Sequence, residues 1–479
     1  VREVSETGLD ALLATGLLRQ EAGLLRFEQG ALEDTARALA EALPEVAEIH
    51  GRLADAWRRL GERTGADVDM PLGQHRLNSG QSAASVGPLL RALRTLLDQG
   101  RFALANRAAD LAITAADLAA TPDNPLLARR MEARRLKGLA LLELDDPEGA
   151  AGIAEEAGHL GWGERLTRTR LTVLRARAYV QLDRADQARA LFSTAHASFW
   201  AMRDKDGLAE VALQRADQAR GDNRIYAAEE GYDEVLRSRP LEDPHVAQAL
   251  SAMVTIRLSQ GRPEDAWPYV TQLAEAAALT GDTRTSARAN FAAGSVRLAQ
   301  GRHDEAERLF LTAQANAATS GDLRMQVNAV NYLGEVARHR GDTPTARSHY
   351  TRYVRLAKAA RWPLAEAVGQ VNLALIELSA EAWSRADMHA ARAGKSMARQ
   401  PKSWIWVYVA IVRAACAAAQ DDEARARQWW DLSLARGLKT LRSGDLWGPV
   451  QVLARQAAAH GWGELETAAW EQLAMIRRA

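Results

Sequence analysis

Eight alanines recur at nearly constant distance along this chain. Ala150, Ala188, Ala228, Ala266, Ala306, Ala346, Ala386 and Ala426 are separated by 38, 40, 38, 40, 40, 40 and 40 residues. A fixed period of this length marks repeats that are single supersecondary units, each burying its apolar face only by stacking on its neighbours. Such a stack also lets 479 residues escape the size limit of a single core. It presents a long groove rather than an enclosed catalytic pocket, so the functional question is what the groove binds.

The residues around each alanine define the unit. About five positions before it stand turn residues: Gly261-Arg-Pro, Gly301-Arg-His-Asp, Gly341-Asp-Thr-Pro and Asp421-Asp. Four positions after it comes a larger residue, as in Phe192, Tyr232, Val270, Phe310, Tyr350 and Trp430. Three further on lie Ala195, Val235, Leu273, Ala313 and Ala393. Spacings of four and three share one helical face. Another amphipathic stretch precedes each turn, as at residues 290–300 and 328–340, so each unit reads as helix, short turn, helix. Gly294 and Gly334 fall inside the first helices. Glycine there costs about 1 kcal/mol against alanine, so a second helix is expected to approach closely at both. About ten hairpins are expected. The first surrounds Gly100, Phe102 and Ala105, and a degenerate last one, at residues 461–473, acts as a cap.

The stretches NFAAGSVRLAQGRHDEAERLF (290–310) and NYLGEVARHRGDTPTARSHY (331–350) resemble the tetratricopeptide repeat family in their small, glycine and aromatic positions. The period departs from the family's usual length of about 34 residues. The resemblance covers residues 89–479. It implies an all-α, tetratricopeptide-like α-solenoid, a superhelix whose inner face is lined by the first helix of each hairpin.

Residues 1–62 lack the period. Two short apolar segments, Leu17-Leu18-Arg19-Gln20 and Leu24-Leu25-Arg26-Phe27-Glu28, flank a glycine and read as a β-hairpin. Helices are expected at 31–43 and 47–60, on either side of Pro44. The order helix, hairpin wing, helices resembles the second half of the winged helix that closes the nucleotide-binding module of signal-transduction ATPases with numerous domains, the STAND family. The expected organisation is a partial winged-helix domain at 1–62, a connecting segment at 63–88 and the repeats at 89–479. The chain begins with Val1 rather than methionine, so the expectation is an excised or processed piece of a larger bacterial protein, and the resemblance implies an ATPase module N-terminal to it.

The chain itself carries no phosphate-binding loop. Its Gly394-Lys395-Ser396 has His389 where the first glycine of that motif belongs, and lies in helical repeat sequence. The ten histidines are scattered and form no zinc-spaced cluster. Cys416, the single cysteine, lies in the run Arg413-Ala-Ala-Cys-Ala-Ala-Ala and reads as a packed thiol that fits a reducing compartment. Lys+Arg and Asp+Glu are both 61, so no global charge favours nucleic acid or an anionic membrane. Residues 20–24 of the wing hold no basic cluster either. No signal peptide or membrane span is legible. The expectation is a non-enzymatic, cytoplasmic, monomeric chain without cofactor or metal.

Two features mark candidate binding residues. Asn328, Asn331, Glu335 and Arg338 are spaced three, four and three apart on one first helix, and all are polar. Asn290 in the preceding unit, and Gln370 and Asn372 in the following one, lie close to the same line. Asparagine has modest helix propensity, because its side chain competes for backbone hydrogen bonds. Its recurrence here fits an amide ladder able to grip a peptide backbone or polar ligand, and equally fits plain exposed helix positions. Second, nine of the 13 tryptophans follow residue 360. Trp404, Trp406 and Tyr408 are two apart, so they cannot share one helical face. Aromatics of this kind fit a binding anchor or an aromatic core. The leading expectation is a sensor domain that binds a protein or small-molecule inducer and relays it to the ATPase module. The alternative is a constitutive scaffold without a switch.

Overall fold

The computed structural model describes residues 18–21, 24–27, 44–121, 126–160, 164–398, 400, 403–438 and 444–477. Among the described residues, one antiparallel hairpin, β1 (Leu18–Glu21) and β2 (Leu24–Phe27), pairs Leu18 with Phe27 and Glu21 with Leu24. This is where a hairpin was expected. The helix expected at 31–43 lies outside the described residues, as do residues 1–17 ahead of the hairpin, whereas the helix expected at 47–60 is present.

Helices α1 (Val46–Thr64) and α2 (Asp69–Asn78) come next. Twenty further helices then run as ten helix–turn–helix units among the described residues. They are α3 (Ser82–Asp98) with α4 (Phe102–Ala119), α5 (Leu127–Glu143) with α6 (Pro147–His159), α7 (Arg165–Gln181) with α8 (Ala185–Met202) and α9 (Lys205–Gly221) with α10 (Ile225–Ser238). Next come α11 (Pro244–Ser259) with α12 (Pro263–Thr280), α13 (Thr283–Ala299) with α14 (His303–Thr319) and α15 (Leu323–His339) with α16 (Thr343–Ala359). The last three are α17 (Pro363–Ser379) with α18 (Trp383–Ser396), α19 (Ile405–Ala418) with α20 (Glu423–Ala435) and α21 (Trp447–His460) with α22 (Gly463–Arg477). The fold is the tetratricopeptide-like all-α solenoid. Helix α2 and the start of α3 occupy the segment expected to be a connection.

The sequence period has a direct steric meaning. All eight recurring alanines are fully buried, each at 0% exposure. The residue five positions before each is Asp145, Asp183, Asn223, Gly261, Gly301, Gly341, Glu381 or Asp421, and each takes a left-handed φ between 55° and 76°. A left-handed residue ends the first helix and frees its last carbonyls for reversed bonds. Asp342 N–H donates to Ala337 O at 2.9 Å, and Arg302 N–H to Arg297 O at 2.8 Å. The second helix then starts at once and turns its alanine onto the first. Gly294 and Gly334 allow the matching approach from the other side. A Cβ on Gly294 would meet Phe310 Cε1 at 2.8 Å, and one on Gly334 would meet Tyr350 Cε1 at 2.6 Å.

The described residues divide into two compact units. One comprises Val1–Leu96, Leu104–Gly138 and Gly152–Leu171, the other Leu97–Ala103, Leu139–Ala151 and Thr172–Ala479. In the second, each helix from α8 to α19 packs on the next, α19 also packs on α21, and α21 packs on α22. First helices also pack on one another, α13 on α15 and α17 on α19. The start of α15 is pinned within this unit by Arg324. Its guanidinium lies 4.6 Å from the ring centres of both Phe102 and Trp362 and pairs with Glu143 at 2.5 Å. Leu323 N–H donates to Gln99 O at 3.1 Å.

Candidate functional site

Helix α15 owes its polar inner face to residues spaced three and four apart between apolar ones. Val327, Val330, Leu333 and Val336 are buried against its neighbours, whereas Asn331, Glu335 and Arg338 stay part-exposed. These three border a cleft of about 460 Å³. The other walls come from Val368, Val371 and Asn372 of α17, from Trp404, Ile405 and Tyr408 at the start of α19, from Leu298 of α13, and from Asp445.

A continuous polar chain crosses the floor. Asn372 Nδ2 donates to Asn331 Oδ1 at 3.0 Å and to Glu335 Oε1 at 3.3 Å. The Tyr350 hydroxyl, arriving from α16 behind, donates to the same Glu335 oxygen at 2.6 Å. Arg338 donates to Glu335 Oε2 at 2.6 and 3.0 Å, and lies 3.1 Å from Asp445. Burial alone would lower the Arg338 pKa, but Glu335 and Asp445 outweigh it and push it up. Burial first and Glu335 second push the Tyr350 phenol up as well, so it stays a neutral donor. Burial and the neighbouring Arg338 lower His339, so it stays neutral at pH 7.

The apolar wall is aromatic. Trp404 and Tyr408 meet edge to face with centroids 5.6 Å apart, a favoured ring arrangement. Tyr408 is buried, whereas Trp404 is 47% exposed. A cleft with a few oriented polar groups beside a large open aromatic has the chemistry and size of a site for a small molecule or a short peptide stretch.

The structure brings together six of the ten residues singled out from sequence: Asn331, Glu335, Arg338, Asn372, Trp404 and Tyr408. The other four do not line the cleft. Asn290 Nδ2 donates to Ser286 O of its own helix at 2.8 Å. Asn328 sits on α15 outside the cleft. Gln370 is buried, with its Oε1 2.7 Å from His389 Nδ1. Trp406 is part-buried, packs against the apolar core with its ring near Gly394, and donates from Nε1 to Gln400 O at 3.1 Å, so it does not line the cleft. Sequence reasoning missed Tyr332, which directly follows Asn331, and the apolar lining from α13 and α17. It also missed Asp445, more than 100 residues beyond Arg338, for which no sequence signal exists.

Elsewhere, Cys416 is buried. Burial first and Asp387 second push its thiol up to about 12, so it packs as a neutral group. Among the described residues, no three His, Cys, Asp or Glu side chains are placed to hold a metal ion, and no helix is long and apolar enough to cross a membrane.

Comparison with known proteins follows the same lines. The family model described as Tetratricopeptide repeat matches residues 285–359, which span α13 to α16 and so contain the polar helix of the cleft. No curated protein matches the chain. Among solved structures, a Rap protein complexed with competence and sporulation factor aligns with a TM-score of 0.50 at 13% identity. It covers 73% of this chain and 98% of its own. A signal-transduction ATPase with numerous domains and a tetratricopeptide repeat sensor, from Pyrococcus horikoshii, aligns at 12% identity and a TM-score of 0.30. It covers 99% of this chain and 58% of its own. At 13% identity the likeness to the Rap protein concerns the fold alone.

Proposed function

We propose that the chain is a sensor module whose α15–α17–α19 cleft captures an inducer, either a protein segment or a small molecule. The observation that carries this reading is the convergence of an amide pair, a Glu–Arg–Asp chain and an open tryptophan from separate repeats on one cleft. Repeat packing does not require any of these groups. The Asn331–Asn372 pair offers donors and acceptors to a ligand's amides, and Trp404 offers an apolar anchor. The Rap protein, of related fold, is solved in complex with competence and sporulation factor, which supports reading such a repeat stack as a receptor.

In the same proposal, binding is relayed to an N-terminal NTPase module of STAND type through residues 1–62. Relay requires the inducer to prefer one of two states. A preference of about 5.5 kcal/mol takes a 1:99 population to 99:1. The rival reading is a scaffold in which the cleft binds a partner without any switch.

The test begins by capturing a ligand from host extract with the chain, then measuring its affinity by calorimetry. Asn331→Ala and Trp404→Ala should each weaken it by some thirtyfold, corresponding to the roughly 2 kcal/mol of a binding hot spot. Trp406→Phe, a control outside the cleft, should leave it unchanged. Full affinity in both cleft variants, with folding intact, removes the cleft from consideration. An inducer that binds but leaves the nucleotide state of the parent protein unaltered favours the scaffold.

A further inference from the structure

A second groove of about 440 Å³ lies in the other compact unit and shares no residue with the cleft. It is built by the first helices of three successive hairpins, α3, α5 and α7. Four arginines line it: Arg91, Arg94, Arg129 and Arg170. Two are committed. Arg91 makes two bonds to Asp69, at 2.6 and 2.9 Å. Arg94 reaches Glu132 at 3.1 Å, and Glu132 is already held by two bonds from Arg135. Arg129 and Arg170 are different. Among the described residues neither has a hydrogen-bond or ion-pair partner, and the Thr167 hydroxyl one turn before Arg170 has none either. Glu164, the other acidic lining residue, stands just ahead of α7, where the helix dipole favours a carboxylate.

We propose that this groove binds a small anion bearing carboxylate or phosphate groups. Glu132 is saturated by Arg94 and Arg135, so the groove's own acids do not neutralise Arg129 and Arg170. Guanidinium forks match carboxylate and phosphate oxygens in paired, charge-assisted bonds, and Thr167 adds a neutral hydrogen-bonding group beside them. Structural need does not explain the two arginines. Arg129 is exposed and Arg170 half-buried, and neither ties one helix to another through an ion pair.

Calorimetric titration of the whole chain with inorganic pyrophosphate, and separately with citrate, tests this. Binding of at least one, weakening as salt is raised, is expected. The double variant Arg129→Gln/Arg170→Gln should weaken it at least about tenfold, as expected for loss of charge-assisted contacts. Arg237→Gln, an exposed arginine on α10, should not. Pyrophosphate alone binding assigns phosphate chemistry, citrate alone assigns carboxylate, and both together assign a general anion site. Absence of heat from both probes overturns the proposal, as does binding that survives the double substitution. Melting curves confirm that each variant is folded.

Discussion

Hairpins α13–α14 and α15–α16 are the same construction 40 residues apart, and the difference between them locates the site. Both have the buried alanine (Ala306, Ala346), the left-handed glycine (Gly301, Gly341) and the helix glycine against a ring (Gly294 on Phe310, Gly334 on Tyr350). Their inner rows diverge. Phe291, Ser295 and Leu298 on α13 stand where Asn331, Glu335 and Arg338 stand on α15. Ser295 spends its hydroxyl on Phe291 O of its own helix at 3.0 Å, and Phe310 packs against the rings of Phe291 and Tyr332 at 5.5 and 5.2 Å. On α15 the added hydroxyl of Tyr350 reaches Glu335, and the polar chain follows from it. One repeat further on, the same row is Val371, Leu375 and Leu378. The seam between paired helices is constrained by contact distance in every repeat. The inner row is not, and it turns polar in the repeat whose neighbours leave a cleft.

The largest effect tests whether the seams are truly equivalent. Phe310→Ala and Tyr350→Ala each remove a fully buried ring, and each should cost about 3–5 kcal/mol. Hydrogen exchange of the α13–α16 amides reads this locally, which suits a repeat protein that need not unfold as one unit. A cost for Tyr350 far below that for Phe310 breaks the comparison, since its ring would then be serving the cleft rather than the seam.

This contrast also explains what was legible in the sequence. Period, turn positions and the close helix approach at Gly294 and Gly334 were readable because each is a local steric demand that recurs. Ala150 through Ala426 show it eight times over, and even Glu381 and Asn223 accept a left-handed φ where other repeats use glycine. The inner row was legible only in part. A polar residue at helical spacing names a stripe but not its surroundings, so Asn290 and Gln370 looked like Asn331 until their neighbours were known. Gln370 meets His389, and Asn290 turns back on its own helix. The tryptophan bias was mostly core. Trp430 and Trp462 are buried and Trp406 is packed, while Trp404 opens onto the cleft. Asp445 reaches Arg338 only through tertiary folding.

A hydroxyl exchange gives the next largest effect. Phe310→Tyr would bury a phenol in a repeat whose residue matching Glu335, Ser295, already bonds its own helix, at about 1–3 kcal/mol for the unsatisfied group. Tyr350→Phe should cost about 1.5 kcal/mol, the low end for a bond to a charged group, because Glu335 keeps Arg338 and Asn372. The two variants also differ with pH. Burial and Glu335 raise the folded pKa of Tyr350 above its ordinary value of 10.0. Its neutral form is therefore favoured in the folded state. That stability is complete below pH 10 and is lost as pH rises above it, where the unfolded phenol ionises. Melts between pH 9 and about 11 should show the parent falling more steeply than Tyr350→Phe. Parallel slopes would mean that Tyr350 reaches solvent and that the polar chain is loose.

The smallest expected effect is the one that bears most on function. Asn331 and Asn372 bond to each other at 3.0 Å on a part-exposed floor. If that pair were a strut holding α15 to α17, removing it would cost as much as a buried hydrogen bond. The seam already holds these helices through α16, which packs on both, so the strut is unnecessary. Asn331→Ala and Asn372→Ala should each change stability by no more than about 0.5 kcal/mol, as surface substitutions do. Their coupling in a double-mutant cycle should be equally small, although residues in contact can couple by up to about 3 kcal/mol. Coupling above about 1 kcal/mol would mark the amides as structural, and an inducer would then have to break a bond the fold relies on. Weak coupling leaves both amides able to exchange each other for a ligand at little cost, which is what a receptor cleft requires.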